Sequence, residues 1–242
     1  MEKEEIRILY VDDDEDDYLL VQTLLKKVKR INFTVERATG LLETLELLDD
    51  GYEVFLVDYR LGIENGLDVL RAIRQRKQYA PVIMLTGMED GEVDQLALKE
   101  GAADYLVKGD FDAQILERTI RYALRDAMLI ETLEISASRF RNIFEKSADP
   151  IVLIEDSGRI IKANPSFNRL FGLEENEQGH AVSFENLILN KDHIPVIRHA
   201  LASGQALDDF ETTMLAAREK RIQALISLVM HDSYTGSYQV MI

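Results

Sequence analysis

Cysteine is absent from all 242 residues. Disulfides, thiol nucleophiles and thiolate metal sites are therefore excluded, and the absence fits a reducing compartment. Long apolar runs are missing too. No window comes near the ~18 uninterrupted apolar residues of a membrane-crossing helix. The start, MEKEEIRILYVDDD, has no apolar stretch long enough for a signal peptide. Positive charge is scarce: 28 Lys and Arg stand against 44 Asp and Glu, a formal net charge of −16. Such a surface repels nucleic-acid backbones and attracts divalent cations, so direct binding to nucleic acid is not expected. Proline and glycine are both missing between residues 111 and 146. Apolar residues, at 46% of the chain, are enough for a normal core, and the length suits one large or two small domains.

The first half is organised around Val54-Phe55-Leu56-Val57-Asp58. Four apolar residues in a row read as a strand buried on both faces, and the run stops on a carboxylate. Four more strands are predicted, at 6–11, 33–38, 81–85 and 104–107. Helical spacing separates them: Tyr18 to Val28, Leu41 to Leu48, Gly66 to Ile73, and Val93 to Leu98 stopped at Gly101. A fifth helix starts near Phe111. Strands alternating with helices predict a doubly wound α/β domain with a five-stranded parallel sheet. Asp12, Asp13, Asp58, Thr86 and Lys108 then all follow strands, on the sheet edge where such folds place their chemistry.

Each residue alone has a plainer role. Asp12 to Asp17 is an acidic run of the kind that caps a helix, Asp58 could sit in a turn, Thr86 could cap, and Lys108 could be a surface lysine. Together, from four strands, they make a site. Three carboxylates in one pocket repel one another, and Mg²⁺ held by Asp12, Asp13 and Asp58 is the natural remedy. Asp58 would accept a phosphoryl group as nucleophile. Lys108 would pair with Asp58 and then with a phosphoryl oxygen, and Thr86 would offer a hydroxyl.

YVDDD, VDYRLGIENGLDVL, VIMLTG and GAADYLVKG resemble the receiver domain of two-component response regulators, over about half the chain. The resemblance implies a flavodoxin-like fold, phosphoryl transfer to Asp58 from the phosphohistidine of a histidine kinase or phosphotransfer protein, and the backbone carbonyl of Arg60 as a further metal ligand. It also implies that Thr86 and Tyr105 act as switch residues, Tyr105 turning inward when the phosphoryl group captures Thr86. The plainer reading of Tyr105 is a half-buried aromatic on an edge strand. Gly109 stands where the family usually has a proline after a cis bond. A non-proline cis bond costs about 2.5–4 kcal/mol, so a trans bond or a glycine-eased loop is expected. Arg60 argues against haloacid-dehalogenase-type phosphatases, which want a second Asp there.

Beyond Phe111 one long helix is predicted. Leu116, Ile120, Ala123, Ala127 and Ile130 keep 4-3 spacing, and Leu129, Leu133, Ser136, Phe140 and Ile143 continue it on a shifted stripe. Two readings stand side by side: a parallel dimer helix that transmits a signal, or a helix packed on its own sheet and then a plain linker.

Asp149-Pro150 marks a break. Strands follow at 151–154 and 160–163, helices at 166–171 and 191–202, and strands at 207–215, 221–230 and 237–242, with 173–190 irregular. FRNIFEKSADPIVLIEDSGRIIKANPSFNRLFGL resembles the start of a PAS domain, an α+β fold with an antiparallel sheet. PAS domains sense ligands, light or redox, or mediate dimers. A light-driven flavin adduct needs a cysteine, which is missing. Haem would draw on His193 or His199; His180 and His231 have no partner at metal-ligand spacing. The PAS ligand is unknown, and a ligand-free core is among the readings.

The expected organisation is a receiver domain over 1–125, a helical linker over 126–146 and a PAS-like domain over 147–242. The whole is read as a cytoplasmic piece of a longer response regulator or hybrid kinase or cyclase, switched by phosphorylation rather than turning over a substrate. The alternative is a PAS-based small-molecule sensor or dimerisation scaffold with an inactive receiver.

Overall fold

The computed structural model describes residues 4–62, 64–87, 96–173, 183–232 and 236–242. The side chains of residues 4, 231 and 232 are outside this description. The chain divides into two compact units, one up to residue 135 and one from residue 136.

In the first unit, β1 (Glu4–Val11), β2 (Ile31–Ala38) and β3 (Val54–Asp58) are followed by a two-residue pair, β4 (Arg60–Leu61) and β5 (Glu64–Asn65). Then come β6 (Val82–Thr86) and β7 (Asp104–Val107). The main sheet is wholly parallel, in the order β2-β1-β3-β6-β7. Helices α1 (Glu15–Lys26), α2 (Leu41–Leu47) and α3 (Gly66–Arg76) lie between strands, with residues 96–99 as the described part of α4. Val93, expected in that helix, lies outside the described residues.

Period-two alternation sends successive strand residues to opposite faces. Leu9, Val11, Phe55, Val57, Val82 and Met84 pack on one face, with Leu67, Leu70 and Ile73 of α3. Ile8, Tyr10, Val54, Leu56, Ile83 and Leu85 pack on the other, with Val21 and Leu25 of α1. That is why the central strands read as unbroken apolar runs: both faces are covered. At the outer edge β2 alternates exposed and half-buried positions between its buried ends, Ile31 and Ala38. Gly101 follows α4 at φ +99, its N–H bonded to the Leu98 carbonyl, as its placement after the last periodic residue predicts.

The long helix α5 runs unbroken from Ala113 to Lys146. Asp112 caps it, accepting from Gln114 N and Ile115 N. Leu116, Ile120 and Ala123 of the first stripe are buried against the sheet. So the first half of the helix packs on its own domain. Further along, Leu129, Leu133, Phe140 and Ile143 are exposed, Leu133 by 69% and Ile143 by 70%.

In the second unit β8 (Ile151–Glu155), β9 (Ile160–Ala163), β10 (Leu207–Leu215), β11 (Arg221–Asp232) and β12 (Ser237–Met241) form an antiparallel sheet, order β10-β11-β12-β8-β9. Helices α6 (Pro165–Phe171) and α7 (Ile194–Ser203) contribute Phe167, Phe171, Ile197 and Leu201 to its core. The single helix expected over 191–202 is in fact a 3-10 turn, Lys191–His193, followed by α7. Pro195 explains the break: it is accepted in a first helical turn but not in a helix interior. Phe184–Leu187, expected to be irregular, is another 3-10 turn. The fully buried Asn164 ties this unit together. Its Oδ1 accepts from Ile151 N and Phe167 N, and its Nδ2 donates to the carbonyls of Phe144 and Asp149.

Candidate functional site

Asp12 stands just past β1 and has no solvent exposure. A buried carboxylate needs partners, and Asp12 has them. Its Oδ2 accepts from the Tyr10 hydroxyl at 2.7 Å and from Lys108 Nζ at 2.9 Å, and its Oδ1 accepts from Asp14 N at 2.8 Å. Asp13 is exposed beside it. Asp14 is the N-cap of α1, accepting from Asp16 N. The acidic run thus splits into site residues and a capping residue.

Asp58 is the last residue of β3, held between β1 and β6, and 6% exposed. The chain then turns through β4 and β5 and comes straight back. Gly66 N bonds the Tyr59 carbonyl at 2.9 Å, and a Cβ on Gly66 would lie 2.1 Å from the Asp58 carbonyl oxygen. Asn65 caps α3 by accepting from Leu67 N. Arg60 is exposed in this hairpin, paired with Asn65.

β6 brings Thr86 to the same edge, 1% exposed, and its carbonyl accepts from Lys108 N at 2.8 Å. Lys108 follows β7. Its ammonium reaches three carboxylates: Asp12 at 2.9 Å, Asp17 at 2.6 Å and Asp58 at 3.1 Å. The Lys108–Gly109 peptide is trans, and Gly109 takes φ +91 with open space where a Cβ would be. A glycine-eased trans loop is what the missing proline implies. Tyr105, on edge strand β7, is half-buried and packs against the α3 face of the sheet, opposite to the face that holds Tyr10.

Electrostatics follow from this packing. Burial, opposed by Lys108 and reinforced by the charge of Asp12, pushes the Asp58 carboxyl up to about 6. Burial would lower the Lys108 ammonium, but its bonds to Asp17 and Asp12 and the charge of Asp58 outweigh that and hold it above its usual range. Tyr10 is raised far above the ordinary phenol by burial first, then by its bond to Asp12. It remains a neutral donor. One oxygen each from Asp12, Asp13 and Asp58 lie within 4.8 Å of one another. Three hard oxygen donors at that separation fit a divalent cation such as Mg²⁺.

A family model for the response regulator receiver domain matches residues 8–121, and a PAS domain model matches residues 138–203. The chain carries a receiver domain followed by a PAS domain. Transcriptional regulatory protein CpxR of Escherichia coli (strain K12) is 41% identical over 120 residues, covering 49% of this chain and 49% of that protein. Transcriptional regulatory protein ZraR of the same strain is 31% identical over 159 residues, 64% of this chain and 35% of that protein. The chain therefore spans about half the length, or less, of the curated relatives it matches. A solved receiver domain protein from Clostridium thermocellum is 30% identical, with a TM-score of 0.47, and covers 52% of this chain and 98% of that one.

The receiver site thus gathers Asp12, Asp13, Asp58, Thr86 and Lys108 at one sheet edge. Sequence reasoning missed Asp17, Tyr10 and Gly66. Tyr10 carried one signal: it is the only residue of Ile-Leu-Tyr-Val with a polar end, and a buried tyrosine hydroxyl seeks a partner. Gly66 carried another, a glycine opening a helix.

In the PAS domain His193 is held at both ring nitrogens, Nε2 by Asn190 Nδ2 and Nδ1 by Thr212 Oγ1, each at 3.0 Å. His199 is exposed on α7. Neither arrangement supports a haem ligand. His180 lies outside the described residues, as does the side chain of His231.

Proposed function

We propose that the receiver domain is a phosphoacceptor switch in two-component signalling, with Asp58 as the phosphorylated residue. The observation that carries this reading is the Lys108 ammonium, 3.1 Å from Asp58 and 2.9 Å from the buried Asp12 at the C-terminal edge of the parallel sheet. An ammonium held there is set to meet charge that develops on a transferring phosphoryl group. The donor is a phosphohistidine of a histidine kinase or phosphotransfer protein. An Asp58 carboxylate oxygen forms the new O–P bond as the P–N bond of the donor breaks, and the imidazole leaves with the electron pair. Asp12, Asp13 and Asp58, with the Arg60 carbonyl, would hold Mg²⁺, which would supply neutralisation of the phosphoryl oxygens.

Lys108 then pairs with the phosphoryl group, Thr86 donates its hydroxyl to it, and Tyr105 changes its packing at the edge strand. Residues 1–125 form the receiver, 126–146 the linker and 147–242 the PAS-like domain of a longer cytoplasmic regulator. The linker carries the state of Asp58 onward and pairs with a second copy. The exposed Leu129, Leu133, Phe140 and Ile143 at helical spacing support that pairing. The acidic surface disfavours direct nucleic-acid contact by this part.

Treatment with acetyl phosphate and Mg²⁺, followed by hydroxylamine, tests the assignment. Cleavage of an acyl phosphate mapped to the peptide that contains Asp58 is expected. Phosphate on any other residue contradicts it.

A further inference from the structure

Lys108 has one partner that the switch mechanism does not use. Asp17 Oδ2 lies 2.6 Å from its ammonium, closer than either Asp12 or Asp58. Asp17 sits in the first turn of α1 with Glu15 and Asp16. Favourable interaction with the helix N-terminus would account for all three acids equally. Their placement is not equal, however. Glu15 and Asp16 are exposed, whereas Asp17 is half-buried and turned to the site, its side chain 35% exposed. Asp17 and Asp58 each hold an oxygen on the same nitrogen, so no more than about 6 Å separates the two carboxylates, close enough for charges to act on one another in a partly buried site.

We propose that Asp17 is a positioning residue that holds Lys108 in the unphosphorylated receiver and opposes the phosphorylated one. The proposal rests on Asp58 being the phosphoacceptor. Before phosphorylation, the ammonium is shared among three carboxylates, and Asp17 makes the shortest of the three contacts. A phosphoryl group on Asp58 brings further negative charge to the same spot. Lys108 must then turn to the phosphoryl oxygens and loosen from Asp17, whose own charge repels the incoming group. Asp17 therefore costs the phosphorylated state stability and shortens its lifetime, while keeping the resting site closed over its lysine.

Beryllium fluoride with Mg²⁺, a phosphoryl mimic that binds an acceptor carboxylate, is the probe, titrated by calorimetry into the full chain. Asp17→Asn keeps the shape and removes the charge. It is expected to bind the mimic about 3- to 10-fold more tightly, the scale of one partly screened charge at this range, and to hydrolyse its acyl phosphate correspondingly more slowly. Asp17→Glu restores a carboxylate and stays near wild type. Asp16→Asn removes the same charge from the same turn at an exposed position and leaves affinity within about twofold. Unfolding midpoints confirm that each variant is folded. Wild-type binding with an unchanged or weaker Asp17→Asn overturns the proposal alone, as does an equal effect of Asp16→Asn. Saturable binding by Asp58→Asn, or none by the wild type, overturns the phosphoacceptor reading as well.

Discussion

Gly66 stands against Asp58 so closely that a single added carbon would lie 2.1 Å from the Asp58 carbonyl oxygen. The contact is backbone to backbone, so no side chain can swing aside to relieve it. α3 begins at that glycine, and the hairpin between β3 and α3 closes because its first helical residue has no Cβ.

Gly66→Ala is therefore expected to destabilise the chain by about 3 kcal/mol and to displace the Asp58 carboxylate. Denaturant unfolding of the full chain measures the first, and the rate of phosphorylation by acetyl phosphate the second. A midpoint and a rate equal to wild type would show that the helix start moves freely.

Asp58 predicts a pH dependence in the absence of metal. Its carboxyl is raised from 3.8 to about 6 in the folded protein, so the folded state binds this proton more tightly than the unfolded one. The stability this group contributes is complete below about pH 4 and is lost as pH rises towards 6. In EDTA at pH 7.5, Asp58→Asn should be more stable than wild type by about 2–3 kcal/mol, and by only about 1 kcal/mol at pH 4.5. Thermal unfolding at the two pH values decides it, and an equal difference at both contradicts the burial argument.

The exposed Asp13 predicts a separation of metal binding from folding. Asp13→Asn should leave metal-free stability within about 0.5 kcal/mol, because an exposed charge contributes little. It should abolish most of the rise in unfolding midpoint that saturating Mg²⁺ gives the wild type. Loss of stability without metal would place Asp13 in the folding of the site instead.

Much of the site was legible in the chain. Asp58, Thr86 and Lys108 each end or follow an apolar run, and parallel strands must deliver such residues to one edge. Asp17 was not legible, since it lies in an acidic run that the needs of a helix N-terminus already explain, and only the folded chain shows Lys108 2.6 Å away. The β4–β5 pair escaped because two-residue strands carry no periodicity. The break ahead of α7 is legible in Pro195, which a first helical turn accepts and a helix interior does not. The linker illustrates a true ambiguity, because 4-3 apolar spacing suits both a helix on a sheet and a helix in a coiled coil. Burial of Leu116, Ile120 and Ala123 gives the first half to the sheet.

The exposed second stripe of α5 predicts assembly. Leu133→Asp with Ile143→Asp should leave the unfolding midpoint of the separate chain nearly unchanged, because both side chains are about 70% exposed. Light scattering should show a dimer for wild type and a monomer for the variant. A wild type that stays monomeric at high micromolar concentration contradicts pairing through this helix.

Asn164 predicts a stability effect in the PAS domain. Asn164→Ala leaves the N–H groups of Ile151 and Phe167 and the carbonyls of Phe144 and Asp149 without their partner. A loss of about 3–4 kcal/mol is expected, read as a lower denaturant midpoint. A change below ~1 kcal/mol would mean that water replaces the amide at little cost.

The most direct test is the intact mass of the full chain after incubation with acetyl phosphate and Mg²⁺. A gain of one phosphoryl group is predicted for wild type, none for Asp58→Asn, and a slow or incomplete gain for Lys108→Ala. A folded wild type that gains no mass, or an Asp58→Asn variant that gains as much, would contradict the account.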